Sequence, residues 1–143
     1  MKTILLVEDD EDHVVMVERA FKKANIAHHL QVVNNGEEAT DYLAGRGRYS
    51  SRETHPFPDL VFLDIKMPLQ DGHELLHGIR FHAGMSLLPI IVFSDSSRPT
   101  DIESAYRLGA NSYILKPVRF ERLVEILPAT ILYWLEINTA SLK

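Results

Sequence analysis

Pro58-Asp59-Leu60-Val61-Phe62-Leu63-Asp64-Ile65-Lys66-Met67-Pro68 is the stretch that decides the fold. Four apolar residues in a row, closed off by Pro58-Asp59 on one side, read as a short strand buried on both faces. Asp64 stands where that strand ends and a turn begins. In an open α/β sheet, the edge outside the carboxyl ends of the strands is where ligands bind. The stretch therefore predicts a buried parallel strand and places a carboxylate at the functional edge.

The rest of the chain repeats the same alternation. Ile4-Leu5-Leu6-Val7 is a second buried strand, and Asp12 to Ala24 carries Val14, Val17, Phe21 and Ala24 at helical spacing. His29 to Val33 alternates and is polar-rich, so it reads as an edge-like strand. Asn35-Gly36 signals a turn, and Glu37 to Leu43 reads as a helix. Residues 45 to 58 hold two Gly, two Pro and several Ser, Arg and Thr, which predicts a loop longer than is usual in a compact domain. After the Leu60–Leu63 strand come a helix from Gly72 to about Ala83 and a strand at Pro89 to Phe93. A helix from Pro99 to Leu108 follows, stopped by Gly109. Ser112 to Leu115 is the last strand, and a final helix starts near Arg119. Strand followed by helix, five times over, implies a parallel sheet with right-handed crossovers and helices on both faces.

Composition narrows the function classes. A chain of 143 residues is one domain by length, and 45% hydrophobic and 24% charged residues are ordinary for a soluble protein. A net charge of -5 argues against a dedicated nucleic-acid binder. The absence of cysteine excludes disulfides and thiolate metal sites. No apolar stretch approaches a membrane span and no signal peptide is recognisable, so a cytoplasmic location is expected.

Parallel strands deliver their carboxyl ends to one edge, so the residues after each strand can meet. Glu8, Asp9, Asp10, Glu11 and Asp12 follow the first strand, Asp64 the third, Ser94 and Asp95 the fourth, and Lys116-Pro117 the fifth. Carboxylates crowded into one cleft repel unless a cation sits among them. Oxygen donors without sulfur suit Mg²⁺. A hydroxyl and an ammonium opposite the acids suit a phosphoryl group. Together they read as a carboxylate nucleophile, a metal clamp and donors to phosphoryl oxygens. Each piece has an ordinary reading of its own: acids open helices, Asp64 could serve the turn, and Ser94 and Lys116 could be solvated loop residues. All four at the ends of different buried strands outweigh those readings.

Other patterns carry less. His73-Glu74-Leu75-Leu76-His77 matches the zinc-protease pattern, with Glu103 as a distant third ligand. Leu75, Leu76 and Ile79 form that helix's core stripe, so His73 and His77 face away from it and read as surface residues. His28, His29 and His82 read as loop or surface residues too. Gly45-Arg46-Gly47 lacks a preceding strand and a third Gly. Asp10 and Asp12 lack the glycine of a calcium loop.

ILLVEDD at 4–10, LVFLDIKMPLQDG at 60–72, PIIVFSDSS at 89–97 and GANSYILKPV at 109–118 together resemble a bacterial response-regulator receiver domain, over essentially the whole chain. YLAGRGRYSSRETHPFPDL at 42–60, GANSYILKPV and the ending YWLEI at 133–137 look like the single-domain receivers associated with bacterial phytochromes. The resemblance implies a single doubly wound, flavodoxin-like domain over 1–143, with five parallel strands in the order 2-1-3-4-5 and no effector domain. It implies that Asp64 accepts a phosphoryl group from a sensor histidine kinase, a phytochrome by the subgroup likeness. Asp9 would ligate Mg²⁺ or Mn²⁺ with Glu8 in support, Asp10 being the alternative to Glu8 in that pair. Asp64 and the backbone carbonyl of Lys66 complete the ligand set. Ser94 and Lys116 would hold phosphoryl oxygens, the Lys116-Pro117 bond would be cis, and Tyr113 would swing inward when Ser94 moves.

A phosphatase of the haloacid-dehalogenase type is the enzymatic rival. That resemblance would call for an acid two residues after the nucleophile, where this chain has Lys66; without it, only self-phosphorylation and slow self-dephosphorylation are expected. A phosphorylation-independent pseudo-receiver is disfavoured by the intact Asp64, Ser94 and Lys116. Asp95 and Lys66 put opposite charges beside the site. Pro128 is expected to kink or split the last helix. The apolar segment 129–138 either caps the core or faces a partner. Its length suggests a homodimer through the C-terminal third, with Trp134 in or beside the contact.

Overall fold

Full burial is what organises the sheet. The computed structural model describes residues 1–66, 72–81 and 85–141. Strands β1 (Thr3–Val7), β3 (Leu60–Leu63) and β4 (Ile90–Ser94) are buried at every position. Strands β2 (His29–Val33) and β5 (Ser112–Leu115) are only partly buried. All pairings are parallel, and the order is β2-β1-β3-β4-β5, so the partly buried strands are the two edges. Register lines up Val7 with Val33 and Leu63, Leu63 with Val92, and Ser94 with Leu115.

The two-residue period of a strand sorts side chains onto two cores. Leu5, Val7, Val61, Leu63, Ile90 and Val92 face helices α2 (Gly36–Ala44), α3 (Gly72–Phe81) and α4 (Pro99–Arg107). Ile4, Leu6, Leu60, Phe62, Ile91 and Phe93 face α1 (Glu11–Lys23) and α5 (Phe120–Leu132). The helix starts follow local chemistry. Asp10 caps α1 by accepting from Asp12 N, and Asn35 caps α2 by accepting from Glu38 N at 2.8 Å. Glu38 returns a bond to Asn34 N at 2.8 Å. Pro99 opens α4, where its missing N–H costs nothing.

The 45–58 stretch is a long connection, as its composition predicts, and it is packed onto the domain. It contains a 3₁₀ turn at Gly47–Tyr49 with Tyr49 buried, and Tyr42 Oη donates to Pro56 O at 2.7 Å. The guanidinium of Arg52 caps the end of α2, donating to Tyr42 O and Leu43 O at 2.8 Å each.

Pro128 does not split the last helix: α5 runs through it to Leu132 and continues as a π turn at Tyr133–Ile137. Tertiary burial explains this. An interior proline costs ~3 kcal/mol, whereas each fully buried Leu or Ile contributes ~1.5–3 kcal/mol. Leu123, Leu127, Ile131 and Leu135 are all buried against the sheet.

The C-terminal segment is divided between its two readings. Ile131 and Leu135 belong to the core and Trp134 packs half-buried against it, while Leu132, Tyr133 and Ile137 are 46–61% exposed. Lys2 Nζ donates to Leu135 O at 2.8 Å and ties the segment to the first strand. No helix among the described residues is long and apolar enough to cross a membrane. The Met67-Pro68 turn, the expected helix end at Ala83, and His82 lie outside the described residues.

Candidate functional site

The in-register ends of β1, β3, β4 and β5 bring their following residues together. Glu8 is 1% exposed, Asp64 6% and Ser94 0%, while Asp9 is half-buried. Lys116 reaches in from the end of β5, its ammonium 2.6 Å from Glu8 Oε1 and 3.1 Å from Asp64 Oδ2. Its bond to Pro117 is trans, in correction of the cis expectation: no cis peptide bond occurs among the described residues, and the lysine reaches both acids by its side chain.

Backbone donors hold the acids in place. Asp64 Oδ1 accepts from Lys66 N at 3.0 Å, and Glu8 Oε2 from Asp10 N at 3.3 Å. Carboxylate oxygens of Glu8, Asp9 and Asp64 lie within 4.8 Å of one another, the only such ligand group among the described residues. Asp10 is exposed and occupied as the cap of α1. His73 and His77 form no ligand group with Glu103. His73 Nε2 lies 3.5 Å from Asp101 O, and the His77 ring packs 4.4 Å from that of Phe81.

Charge balance here is unfavourable without a cation. Two buried carboxylates share one ammonium, and half-buried Asp9 adds a third acid. Burial pushes the Glu8 carboxyl up to about 8, Lys116 opposing and the Asp64 charge adding to the push. Burial also works against the charge on Lys116, but its bond to Glu8 and the charge of Asp64 outweigh that and raise its pKa. A hard divalent cation with oxygen preference fits this donor set: three carboxylates, no sulfur and no imidazole among them.

On the β4 side, Ser94 Oγ accepts from Ser96 N at 3.1 Å. Ser96 O accepts from Tyr113 Oη at 2.7 Å, and Ser96 Oγ donates to Asp101 in the first turn of α4. The hydroxyl at the strand end is thus connected through one residue to both β5 and α4. Lys66 and Asp95 are exposed neighbours.

Three contributors escaped the sequence reading. Ser96 is the hub just described. Gly72 is a close-approach position: a Cβ there would lie 2.4 Å from Ile65 Cα and 2.6 Å from Asp64 O. The start of α3 therefore rests directly on the backbone that carries Asp64. His13 is 8% exposed, its Nε2 3.8 Å from Glu8 Oε1 and its ring 5.3 Å from that of Phe93. Its signal was available, since His13, Val17 and Ala20 share the helical stripe that α1 buries.

A family profile, that of the response regulator receiver domain, matches residues 4–128. Response regulator Rcp1 of Synechocystis sp. is 31% identical over 138 residues, covering 96% of this chain and 92% of Rcp1. The crystal structure of its Mn²⁺-bound form superimposes with a TM-score of 0.85 at 30% identity, covering 99% and 100% of the two chains. The phosphorylated cyanobacterial phytochrome response regulator RcpA gives 0.88 at 31% identity, covering 99% of each chain. A response regulator in red light signaling of R. palustris gives 0.93 at 29% identity, covering 100% of each. With a family match over most of its length and relatives aligned nearly end to end, the chain belongs to the response regulator receiver domains and is a component of two-component signalling.

Proposed function

We propose that Asp64 is the phosphoacceptor, that a sensor histidine kinase of the phytochrome type is the donor, and that the signal leaves by protein contact. The observation that carries this reading is the Lys116 ammonium held between Glu8 and Asp64 at the carboxyl edge of the sheet. An Asp64 carboxylate oxygen attacks the phosphorus of the donor's phosphohistidine. The P–N bond breaks, the imidazole leaves with the electron pair, and the phosphoryl group remains on the carboxylate. Lys116 exchanges its contact with Asp64 for a phosphoryl oxygen, and the Ser94 hydroxyl donates to another. Glu8, Asp9, Asp64 and the backbone carbonyl of Lys66 would hold Mg²⁺ or Mn²⁺, which supplies charge neutralisation for the incoming phosphoryl oxygens. The Mn²⁺-bound form of Rcp1 supports a divalent ion. The likeness to RcpA, a phytochrome response regulator, and to the R. palustris regulator of red light signaling supports the donor class.

Movement of Ser94 toward the phosphoryl group would pull on Ser96, and through it on Tyr113 and α4. Output through the C-terminal third is part of the same proposal. The exposed Leu132, Tyr133 and Ile137 offer the apolar surface for a second copy of the chain, with Trp134 beside it. A stable-ester phosphatase is not favoured, because Lys66 stands where the general acid would be needed.

The test is transfer from a radiolabelled, autophosphorylated phytochrome kinase to this chain, beside an unrelated phosphorylated kinase. Rapid labelling by the phytochrome kinase and slow labelling by the other supports the donor class. Equal slow labelling by both refutes it.

A further inference from the structure

We infer that His13 is a positioning residue for the cation site, whose Nε2–H takes over Glu8 when Lys116 turns to the phosphoryl group. The inference rests on the metal and phosphoacceptor reading above and deepens it. Its starting point is an orphan. His13 Nε2 is buried and has no hydrogen-bond partner among the described residues, yet it stands 3.8 Å from Glu8 Oε1. Buried polar atoms almost always have partners, so an unpartnered one needs a reason.

The geometry supplies one. Glu8 Oε1 is occupied by the Lys116 ammonium at 2.6 Å, and Glu8 Oε2 accepts from the Asp10 amide at 3.3 Å. In the phosphoryl-transfer reading, Lys116 must leave this oxygen to serve the phosphoryl group. Glu8, 1% exposed, would then turn one oxygen to the cation and leave the other without its 2.6 Å donor. His13 closes the gap with a shift of under an ångström, from 3.8 Å to ordinary hydrogen-bond length. The ring is already fixed against Phe93 and lies on the buried face of α1, so little freedom is lost in making that bond. A neutral imidazole protonated at Nε2 suffices.

Outer-shell partners of this kind typically change metal affinity ~10–100-fold when removed. His13→Leu keeps the buried volume and removes the donor. His13→Gln puts an amide N–H at the place of Nε2. Mg²⁺ affinity is measured for wild type, both variants and Asp9→Ala by amide chemical-shift titration of the full chain at one fixed pH, with beryllofluoride standing in for the phosphoryl group. Melting of each metal-free variant checks the fold. The expected result is binding ~10–100-fold weaker in His13→Leu, near wild type in His13→Gln, and lost in Asp9→Ala, with metal-free melting of both His13 variants at or above that of wild type. Wild-type affinity in His13→Leu, or equal weakening in both His13 variants, overturns the donor role. Wild-type affinity in Asp9→Ala overturns the metal reading, and the inference with it.

Discussion

Glu8→Gln probes the claim that the edge cluster holds one negative charge too many until a cation arrives. Glu8 and Asp64 share the ammonium of Lys116 at 2.6 and 3.1 Å, and none of the three side chains is more than 7% exposed. Burial raises the Glu8 carboxyl from an ordinary 4.5 to about 8. The folded protein therefore keeps a proton that the unfolded chain has released, and stability falls as pH rises through that window. His13 acts in the opposite direction at lower pH. Burial lowers its pKa from 6.5, so the folded chain binds fewer protons than the unfolded one there, and stability rises with pH up to about 6.5. Between pH 6.5 and 8 the unfolded chain sheds only the last half of the His13 proton, a smaller and opposite effect, so the fall set by Glu8 prevails. A single proton limits that slope to ~1.4 kcal/mol per pH unit, which for a domain of this size is ~3–5 °C of melting temperature per unit. The assay is thermal melting by circular dichroism across this range, with chelator and with saturating Mg²⁺. Wild type with chelator should lose melting temperature as pH rises, and Mg²⁺ should flatten the loss by taking the place of the proton. Glu8→Gln should be nearly flat with chelator. A wild-type slope retained in Glu8→Gln, or a wild-type melting temperature that rises between pH 6.5 and 8, would exclude Glu8 as the titrating group.

Gly72→Ala should cost ~1–3 kcal/mol and also weaken Mg²⁺ binding, because its Cβ would press on the Asp64 and Ile65 backbone at 2.6 and 2.4 Å; paired melting and Mg²⁺ titration check both effects, and unchanged values in both would remove Gly72 from the site. Arg80→Ala should cost ~3 kcal/mol without changing Mg²⁺ affinity. Its guanidinium, half-buried, donates to Gly109 O at 2.8 Å, Leu88 O at 2.7 Å and Asn111 Oδ1 at 2.6 Å, far along the chain from the acids; urea unfolding gives the number. Leu135→Ala should cost ~2–5 kcal/mol as a core deletion. Ile137→Ser should change monomer stability by ~0.5 kcal/mol or less and weaken self-association; sedimentation that finds a monomer in the wild type at high concentration would rule the dimer out.

The parts of the fold that the sequence revealed are those written in uninterrupted apolar runs. Leu60 to Leu63 and Ile90 to Phe93 could only be central strands, and each ended on a residue of the site. Asp64, Ser94 and Lys116 were legible for that reason: strand ends in a parallel sheet share an edge whatever the intervening loops do. The loop at 45–58 was legible as a loop, but not its packing, which comes from bonds that composition does not encode, Arg52 onto the end of α2 and Tyr42 onto Pro56. That Pro128 does not split the helix was not legible, because the burial of Ile131 and Leu135 on either side of the π turn's start is not visible in the local cost. Gly72 could be seen only as the start of a helix, since its close approach to Asp64 depends on the three-dimensional path of α3. Ser96 is one hydroxyl among several in Ser94-Asp95-Ser96-Ser97, and nothing in that string marks the one that links Ser94 to Tyr113.

On the proposed reading, the edge cluster serves to put a phosphoryl group on Asp64. Incubation with a small phosphodonor and Mg²⁺, followed by borohydride reduction and peptide mapping, tests it directly. One modified residue, Asp64, is expected, with labelling lost in Asp64→Asn and when the cation is chelated. Label on another residue in the wild type, or undiminished labelling of Asp64→Asn, would contradict it.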